Sequence, residues 1–276
     1  MFVKDSKIYK VKHIYNHLKD CLDNKQSFSM CRMGNAEIST INGKKLSHMR
    51  SITQGIPENK INELLDVLRN SANTCDYVSS MGAWLTEEYF EKDIKPTSIY
   101  RQWEKIYKDF GVTNTNYCNP DIGYLIFLEG KYNLWNIIRD KRICVLTSKE
   151  IVVDDMRKSG ITCDFISIPP QTTRLEYKKD MEKPLCGYWY WDEYKKITAF
   201  LKKYHTDYDI FLIGAGYLGK GISAYIKELG GITFDVGQVM NTWAGEGMSR
   251  MTDWMEQTDG FSFKLTENGK KYAGKY

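Results

Sequence analysis

The chain has 276 residues, of which 42% are hydrophobic and 27% are charged, and its formal net charge is +4. This composition is that of an ordinary globular protein and excludes a disordered, collagen-like or fibrous chain. The net charge is too small to indicate a nucleic-acid partner. No apolar run approaches the ~18 residues of a membrane span. We therefore predict neither nucleic-acid binding nor a membrane span.

Residues 1–18 are interrupted by lysine and aspartate and lack the apolar core of a signal peptide, so we expect no signal peptide. The seven cysteines are scattered, without a Cys-x-x-Cys pair or a Cys/His cluster. This pattern argues against a structural zinc site and a disulfide framework. It predicts reduced, mostly buried thiols in a cytoplasmic protein.

Two helical patterns stand out in the first half of the chain. Apolar residues at helical spacing predict helices over 8–24 and 58–70, and weak alternation predicts a short strand over 27–33. The stretch from about 75 to 140 is rich in aromatic and turn residues, and we interpret it as an insertion that mixes short strands and helices. No linker or repeat divides the sequence, so we predict a single domain over 1–276.

In the second half, short apolar runs alternate with amphipathic segments. The pattern predicts strands over 142–147, 161–168, 209–213 and 231–236, and helices over 149–159, 191–204 and 217–229. Such alternation is typical of βαβ units. The predicted fold is therefore α/β and Rossmann-like, with a mostly parallel sheet flanked by helices and a ligand site at the carboxyl ends of its strands.

A glycine motif follows one of these strands. Gly214, Gly216 and Gly219 form a Gly-x-Gly-x-x-Gly pattern that opens a predicted helix. Glycines there allow close approach of the backbone, and a helix N-terminus attracts phosphate, so we predict that Gly214 and Gly216 bind phosphate. Two alternatives stay open: an NAD(P) site with Asp235 as its acidic residue, and a turn that needs glycine only for packing. Lys220, one turn into the helix, is a further candidate cation for a diphosphate, but the favoured prediction is that it is solvated.

A second group of candidate residues follows the strand predicted over 27–33. It consists of Arg32, Gly34, Asn35 and Glu37. A carboxamide and a carboxylate two residues apart offer oxygen ligands for Mg²⁺ or Mn²⁺, and Arg32 would pair with a phosphate or fix Glu37. The alternative interpretation is structural, with Asn35 capping a helix and Glu37 in its first turn.

The run Arg-Met-Gly-Asn-Ala-Glu at 32–37 resembles the Arg-aromatic-Gly-Asp-Gly-Glu motif of the GT-D-type glycosyltransferases. That family was first described as a domain of unknown function, and its founding members glucosylate bacterial surface glycoproteins. The segments 212–216 and 231–237 are similar to the family's closing block, in which a glycine-rich turn, a helix and an Asp-x-Gly strand recur. The resemblance therefore covers both ends of the chain in the same order, while the region from about 75 to 140 does not match.

The resemblance implies transfer of a sugar from a nucleotide-sugar donor, expected to be a UDP-sugar, to a bacterial surface glycan or a lipid-linked acceptor. In the family, the Asp-x-Glu pair serves a divalent metal and the donor diphosphate. By position, that role falls here on Asn35 and Glu37. Arg32, Gly34 and, in the closing block, Gly237 are then further donor-binding residues. Because Asn35 is neutral where the family has aspartate, the charge that makes Mn²⁺ binding tight is reduced, which puts the divalent cation in question.

The carboxylates of Glu37 and Asp235 are the candidate catalytic bases, because a base that activates an acceptor hydroxyl must be an unprotonated group of this kind. Arg250 lies in a glycine-containing loop over 243–250, and two interpretations stay open: a lid that closes over the donor with Arg250 as a donor-binding residue, and an ordinary surface connection. The expected location is cytoplasmic, with contact to the inner membrane face through a lipid-linked acceptor. Two other functions stay open, an NAD(P)-dependent oxidoreductase and a degenerate, non-catalytic glycan-binding or scaffold protein. Nothing in the sequence indicates an oligomeric state.

Overall fold

The computed structural model describes residues 7–79, 98–128, 131–171 and 176–244. Within these ranges eight strands form one sheet. They are β1 Lys7–Tyr9, β2 Phe28–Cys31, β3 Tyr77–Ser79, β4 Asn116–Cys118, β5 Ile143–Thr147, β6 Cys163–Ser167, β7 Ile210–Gly214 and β8 Ile232–Asp235. Their order in the sheet is β1-β4-β3-β2-β8-β7-β5-β6. Every neighbouring pair in this described sheet is parallel, so the predicted α/β, Rossmann-like fold class is confirmed.

Helices cover both faces of the sheet. They are α1 Val11–Asn24, α2 Asn35–Gly43, α3 His48–Gln54, α4 Ile61–Thr74, α5 Ser98–Asp109, α6 Ile122–Leu128, α7 Trp135–Ile138, α8 Glu150–Lys158, α9 Tyr190–Tyr204, α10 Gly216–Glu228 and α11 Val239–Trp243. Among the described residues, no helix combines the length and the apolar character that crossing a bilayer requires.

The strands separate two hydrophobic cores. Side chains alternate between the faces of a strand, and in β5 Ile143 and Val145 join one core while Cys144 and Leu146 join the other. The first core also takes residues from α1, α6, α7, α8 and α11, and the second from α2, α4, α5, α9 and α10. Because helices bury both faces, β5 is a continuous apolar run, which is why its position was readable from the sequence.

The largest differences from the predicted elements lie in the first half. The helix predicted over 8–24 begins at Val11, because residues 7–9 form β1 and pair with β4. A strand of three residues is too short to show alternation. The region from about 75 to 140 supplies β3 and β4, which lie between β1 and β2 in the sheet. That the whole chain is one domain stays a prediction.

The cysteines are as predicted. Six of the seven are buried free thiols, and Cys186 alone among the seven is exposed.

The order of the strands brings distant parts of the sequence together. The last strand in the sequence, β8, lies in the middle of the sheet between β2 and β7. The carboxyl ends of these three strands are therefore neighbours, although one comes early in the chain and two come late.

Candidate active site at the carboxyl ends of three central strands

The two predicted motifs meet at one edge of the sheet. β2 ends at Cys31, immediately before Arg32, while β7 ends at Gly214 and β8 at Asp235. Neighbouring strands lie about 4.8 Å apart, so the ends of β2 and β7 are about 10 Å apart with β8 between them. A ligand of the size of a nucleotide sugar can contact all three ends at once.

A buried group of three charged residues occupies the centre of this edge. The Nζ atom of Lys220 donates a hydrogen bond to Oδ2 of Asp235 at 2.5 Å and lies 4.0 Å from Oε1 of Glu37. The exposed fractions are 2% for Lys220, 1% for Asp235 and 7% for Glu37. The prediction of a solvated Lys220 is wrong. Helix α10 packs on β2 and β8, and the side chain one turn into the helix points toward the sheet rather than toward water.

The environment keeps Lys220 charged. Burial alone would lower the pKa of its ammonium group, but the negative charges of Asp235 and Glu37 outweigh this effect, so the pKa of Lys220 is raised above its ordinary 10.5. A buried charge is tolerated when it is paired and hydrogen-bonded. The three side chains therefore form one electrostatic unit that ties α10 to β8 and to α2.

Asp235 fixes the loops on either side of it. Besides the bond from Lys220, its carboxylate accepts a hydrogen bond from the backbone N–H of Arg32 at 3.0 Å and one from the backbone N–H of Gly237 at 3.0 Å. It thus receives three donors from three separate segments and is 1% exposed. This arrangement suits a residue that positions the site, and a role for Asp235 as catalytic base stays a prediction.

Glu37 lies in the first turn of α2 and turns back toward its start. The backbone N–H of Gly34, the residue that precedes the helix, donates to Oε2 of Glu37 at 2.8 Å. The structural interpretation of this motif is therefore half correct. Glu37 does lie in the first turn, but the capping residue is Gly34, while Asn35 is the first helical residue and is exposed. The opening N–H groups of α2 have no partners within the helix and carry its positive dipole end.

Arg32 lies between two glycines at the rim of the charged group. Its Nε donates to the carbonyl oxygen of Pro120 at 2.8 Å, which anchors the half-buried guanidinium. Gly237 has a φ of +56°, and a Cβ there would lie 2.7 Å from Cδ of Arg32. A Cβ at Gly34 would lie 3.4 Å from one terminal nitrogen of the same guanidinium. Gly237 thus leaves room for Arg32, whereas the tightest contact of a Cβ at Gly34 would be with Oε2 of Glu37, at 3.1 Å.

The glycine turn after β7 is filled by side chains of this chain. A Cβ at Gly214 would lie 2.3 Å from Cγ of Met240. Gly216 has a φ of +53°, and a Cβ there would lie 2.3 Å from Oε1 of Gln54 and 2.4 Å from Nε2 of Gln171. A Cβ at Gly219 would lie 2.8 Å from Cγ2 of Ile213. The close approaches that require glycine are therefore made within the protein.

Gln54 and Gln171 were missed by the sequence reasoning. Oε1 of Gln54 accepts a hydrogen bond from the backbone N–H of Tyr217 at 3.2 Å, so this carboxamide caps α10. The Nε2 atom of Gln171 donates to the same Oε1 at 3.2 Å. The two residues are far apart in sequence, and the one available signal was that Gln171 follows β6 at the same edge of the sheet.

Similarity to known proteins identifies the family. The sequence profile of the GT-D fold-like domain matches residues 9–243. The chain belongs to the GT-D fold-like family. The resemblance seen at the ends of the sequence is thereby confirmed. No protein of curated function matches the chain in sequence.

Two solved structures are similar to this GT-D fold-like chain. One is a glycosyltransferase of the domain of unknown function 1792 from Streptococcus sanguinis, with a TM-score of 0.56 and 13% identity over 96% of this chain and 92% of that chain. The other is a structure of the domain of unknown function 1792, with a TM-score of 0.54 and 13% identity over 97% of this chain and 94% of that chain. At these identities the similarity establishes the shared fold alone.

The residues at the family's metal motif do not fit a divalent cation in this GT-D fold-like chain. Oε2 of Glu37 accepts the Gly34 N–H, and Oε1 faces the Lys220 ammonium. Asn35 is uncharged and exposed. Across the ranges that the structure describes, no group of three His, Cys, Asp or Glu side chains converges on one point. Hard divalent cations prefer several oxygen ligands with net negative charge, and this motif offers one carboxylate that already faces a cation.

The predicted closing loop lies mainly outside the described residues, and Arg250 is among the residues not described. Its first residue, Trp243, is part of α11 and is fully buried. The ring of Trp243 packs edge-on against Phe127, with a centroid distance of 4.8 Å, and lies 5.9 Å from the ring of Trp135. The segment before the loop is therefore anchored in the core.

Proposed function

We propose that this chain is a glycosyltransferase that moves a sugar from a nucleotide-sugar donor to a glycan or a lipid-linked acceptor, with a UDP-sugar as the first choice of donor. Membership of the GT-D fold-like family supports the transferase class. The similar fold of the glycosyltransferase from Streptococcus sanguinis supports it as well. The observation that carries the proposal is the buried Glu37–Lys220–Asp235 group beside Arg32, at the strand edge where α/β proteins bind ligands.

The donor diphosphate is proposed to bind at the start of α2. Transfer leaves a nucleoside diphosphate whose developing negative charge must be stabilised. The Arg32 guanidinium, anchored on Pro120, supplies a positive charge there, and the opening N–H groups of α2 supply donors. Gly237 contributes by keeping the space around Arg32 open, and Gly34 by donating its backbone N–H to Glu37 at the start of α2.

We propose that the two carboxamides that pack on the glycine turn after β7 form hydrogen bonds with the donor. Gly214 and Gly216 shape the turn, and Gln54 and Gln171 lie over it with their polar ends together. Carboxamides both donate and accept hydrogen bonds, which suits sugar hydroxyls or the edge of a nucleobase. The ends of β7 and β2, which lead into this turn and toward α2, are about 10 Å apart, a span that suits a sugar or nucleoside attached to a diphosphate.

Glu37 is proposed as the catalytic residue, acting as the base that accepts a proton from the acceptor hydroxyl. Of the two carboxylates it is the more exposed, at 7% against 1% for Asp235. Its hydrogen bond from Gly34 fixes one oxygen and leaves the other facing Lys220. Asp235 and Lys220 are positioning residues in this proposal, since they hold the loops and the charge balance around Glu37.

The oxidoreductase alternative fits this geometry poorly. A pyrophosphate at the start of α10 would need the volume that the Gln54 and Gln171 side chains fill beside Gly216. The acidic residue that would hold a ribose hydroxyl, Asp235, is 1% exposed and paired with Lys220. A cytoplasmic location, with an acceptor that brings the enzyme to the inner membrane face, is part of the proposal and is supported by the buried free thiols.

A ligand panel tests the donor class. Thermal unfolding is followed with UDP, GDP, CDP and NADH, because a ligand that binds only the folded state raises the melting temperature. We expect UDP to give the largest rise and NADH to give none. A rise with NADH alone would overturn the transferase proposal in favour of the oxidoreductase.

Turnover tests the role of Glu37. Release of UDP from UDP-sugars is measured for the wild type, for Glu37→Gln and for the control Glu63→Gln, whose carboxylate is half exposed and pairs with Lys60. Loss of a catalytic base lowers rates by about 10²- to 10⁴-fold, so we expect Glu37→Gln to fall by about 100-fold or more and the control to keep its rate. Binding of UDP without turnover of any donor by the wild type would favour the non-catalytic scaffold.

A further inference from the structure

Lys220 occupies the position that a metal bridging the two carboxylates would need. Its ammonium lies between Asp235 Oδ2, at 2.5 Å, and Glu37 Oε1, at 4.0 Å. A divalent ion of the Mg²⁺ type binds carboxylate oxygens at about 2.1 Å, so it would have to share this small volume with the ammonium. The ammonium is 2% exposed and cannot swing into water without leaving both carboxylates unpaired.

The charge balance of the group points the same way. With Lys220 counted, the two buried carboxylates retain one net negative charge, and Arg32 stands beside them as a further cation. Asn35 adds an uncharged side chain where the family motif has an aspartate. With Arg32 counted, two negative charges face two positive ones, so a divalent cation added here would leave two uncompensated positive charges, which is strongly unfavourable in a buried site.

We propose that in this chain the Lys220 ammonium replaces the divalent cation and that the nucleoside diphosphate binds without a metal ion. The inference rests on the proposed function, since it concerns the donor of that reaction. Lys220 acts as an internal, permanently placed cation that holds Glu37 and Asp235, and it does not touch the substrate. Arg32, at the half-exposed rim, provides the positive charge that faces the diphosphate.

The direct test compares UDP binding in the presence of EDTA with UDP binding in the presence of Mn²⁺, by titration calorimetry on the full chain. We expect the two dissociation constants to agree within about twofold, which is less than ~0.5 kcal/mol. Binding that is about tenfold or more tighter with Mn²⁺, a difference of ~1.4 kcal/mol, would overturn the inference.

Mn²⁺ alone provides a second readout that does not depend on the donor class. The electron paramagnetic resonance signal of free Mn²⁺ is recorded as protein is added. We expect any dissociation constant for Mn²⁺ to be above about 1 mM, which corresponds to a binding free energy weaker than ~4 kcal/mol. Mn²⁺ binding in the micromolar range that disappears in Glu37→Gln would overturn the inference. If UDP fails to bind in either buffer, the proposed function fails, while the Mn²⁺ titration still decides whether the site accepts a metal.

A pair of double variants isolates Lys220. Asn35→Asp with Lys220→Met restores the family's acidic motif and removes the internal cation, whereas the control combines Asn35→Asp with Lys227→Met. Lys227 lies on the same helix and pairs with Asp76 at 2.6 Å, away from the carboxyl ends of the strands, because Asp76 directly precedes β3. We expect Mn²⁺ binding to appear in the first double variant and not in the control.

Mn²⁺ binding by the control would overturn the inference, because it would show that a metal binds with Lys220 in place. If the Lys220→Met double variant does not fold, Asn35→Asp alone gives the answer. It retains Lys220 and is expected to bind no Mn²⁺ in the micromolar range, and a gain of binding by this single variant would likewise overturn the inference.

Discussion

The carboxyl ends of β8 and β7 are adjacent in the sheet but differ in their chemistry. At β8 the chain buries three charged side chains, with Asp235 bonded to Lys220 and Glu37 close by. At β7 the turn is covered by two neutral carboxamides, Gln54 and Gln171. Burying charge is expensive unless the charges are paired, and paired ionisable groups buried at a ligand-binding edge are typical of functional sites.

The difference shows that the more visible of the two sequence motifs is not the one that supplies the buried charged group. The Gly-x-Gly-x-x-Gly motif after β7 was the most visible pattern, yet its glycines accommodate Met240, Gln54 and Ile213. The less visible run at the end of β2 supplies Glu37 to the charged group. A glycine motif therefore reports that something approaches the backbone closely, and the structure is needed to say what does.

The largest expected effect comes from removing the cation at the β8 end. Lys220→Met leaves Asp235 and Glu37 buried without their partner, so we expect the free energy of unfolding to fall by about 3–5 kcal/mol. Urea denaturation measures the change. The matched control is Lys227→Met, whose ion pair with Asp76 is partly exposed, and we expect a loss of about 1 kcal/mol.

If Lys220→Met and Lys227→Met lose the same free energy of unfolding, the charged group at β8 is an ordinary ion pair. The proposed difference between the β8 end and the β7 end would then disappear. Adding Asp235→Asn to Lys220→Met removes one of the uncompensated charges. We expect this double variant to be more stable than Lys220→Met alone.

The next effect lies at the β7 turn. Gly216→Ala places a Cβ against the Gln54 and Gln171 carboxamides in a backbone conformation with φ +53°. We expect a loss of about 2 kcal/mol, of which ~1 kcal/mol reflects the left-handed conformation alone. Gly230→Ala is the control, since Gly230 has a φ of +88° and no atom lies within 4 Å of its Cβ position. A loss in Gly216→Ala no greater than in the control would mean that the carboxamides move aside freely.

A smaller effect follows from removing the cap itself. Gln54→Ala leaves the Tyr217 N–H at the start of α10 without its side-chain acceptor, so we expect a loss of about 1 kcal/mol in urea denaturation. Gln26→Ala, at an exposed position, is expected to change stability by less than about 0.5 kcal/mol. If the two variants agree, the Gln54 cap contributes no stability, which would contradict the capping role assigned to it.

The smallest effect concerns alkaline pH. The folded-state pKa of Lys220 is raised above 10.5, so its contribution to stability is fully present below pH 10.5 and is lost as the pH rises through the folded-state pKa. Urea denaturation from pH 7 to pH 11 should show a steeper alkaline loss for the wild type than for Lys220→Met with Asp235→Asn. The buried tyrosines Tyr190 and Tyr217, whose pKa values are also raised by burial, contribute equally to both proteins. Identical slopes would contradict the charged state assigned to Lys220.

The second half of the fold was predictable because most of its strands are buried on both faces. β5 and β7 are apolar runs bounded by turns, β8 alternates apolar and polar residues, and the helices between the strands carry clear amphipathic patterns. The first half was harder to predict. β1 and β3 have three residues each, which is too short to show the alternation of a strand. Helix α2 mixes polar residues with few apolar ones, so its helical spacing could not be detected either.

The site could be predicted in part. Arg32, Glu37 and Asp235 were predicted as candidates because each lies at or just beyond the end of a strand, and parallel strands bring such positions to one edge. Lys220 was assigned to solvent because an isolated lysine on a helix is usually exposed, and its burial depends on a pairing with Asp235 that the sequence does not display. Gln54 belongs to a short helix that was not predicted, so its contact with α10 could not be anticipated.

One measurement tests the central claim, which is that the donor diphosphate binds at the β2 and β8 ends beside the charged group. Amide hydrogen exchange is compared with and without UDP, since a bound ligand slows exchange of the amides it contacts and orders. The account predicts slower exchange in residues 32–38 and 235–238. Slower exchange confined to residues 214–218 would place the diphosphate on the β7 turn and contradict the account.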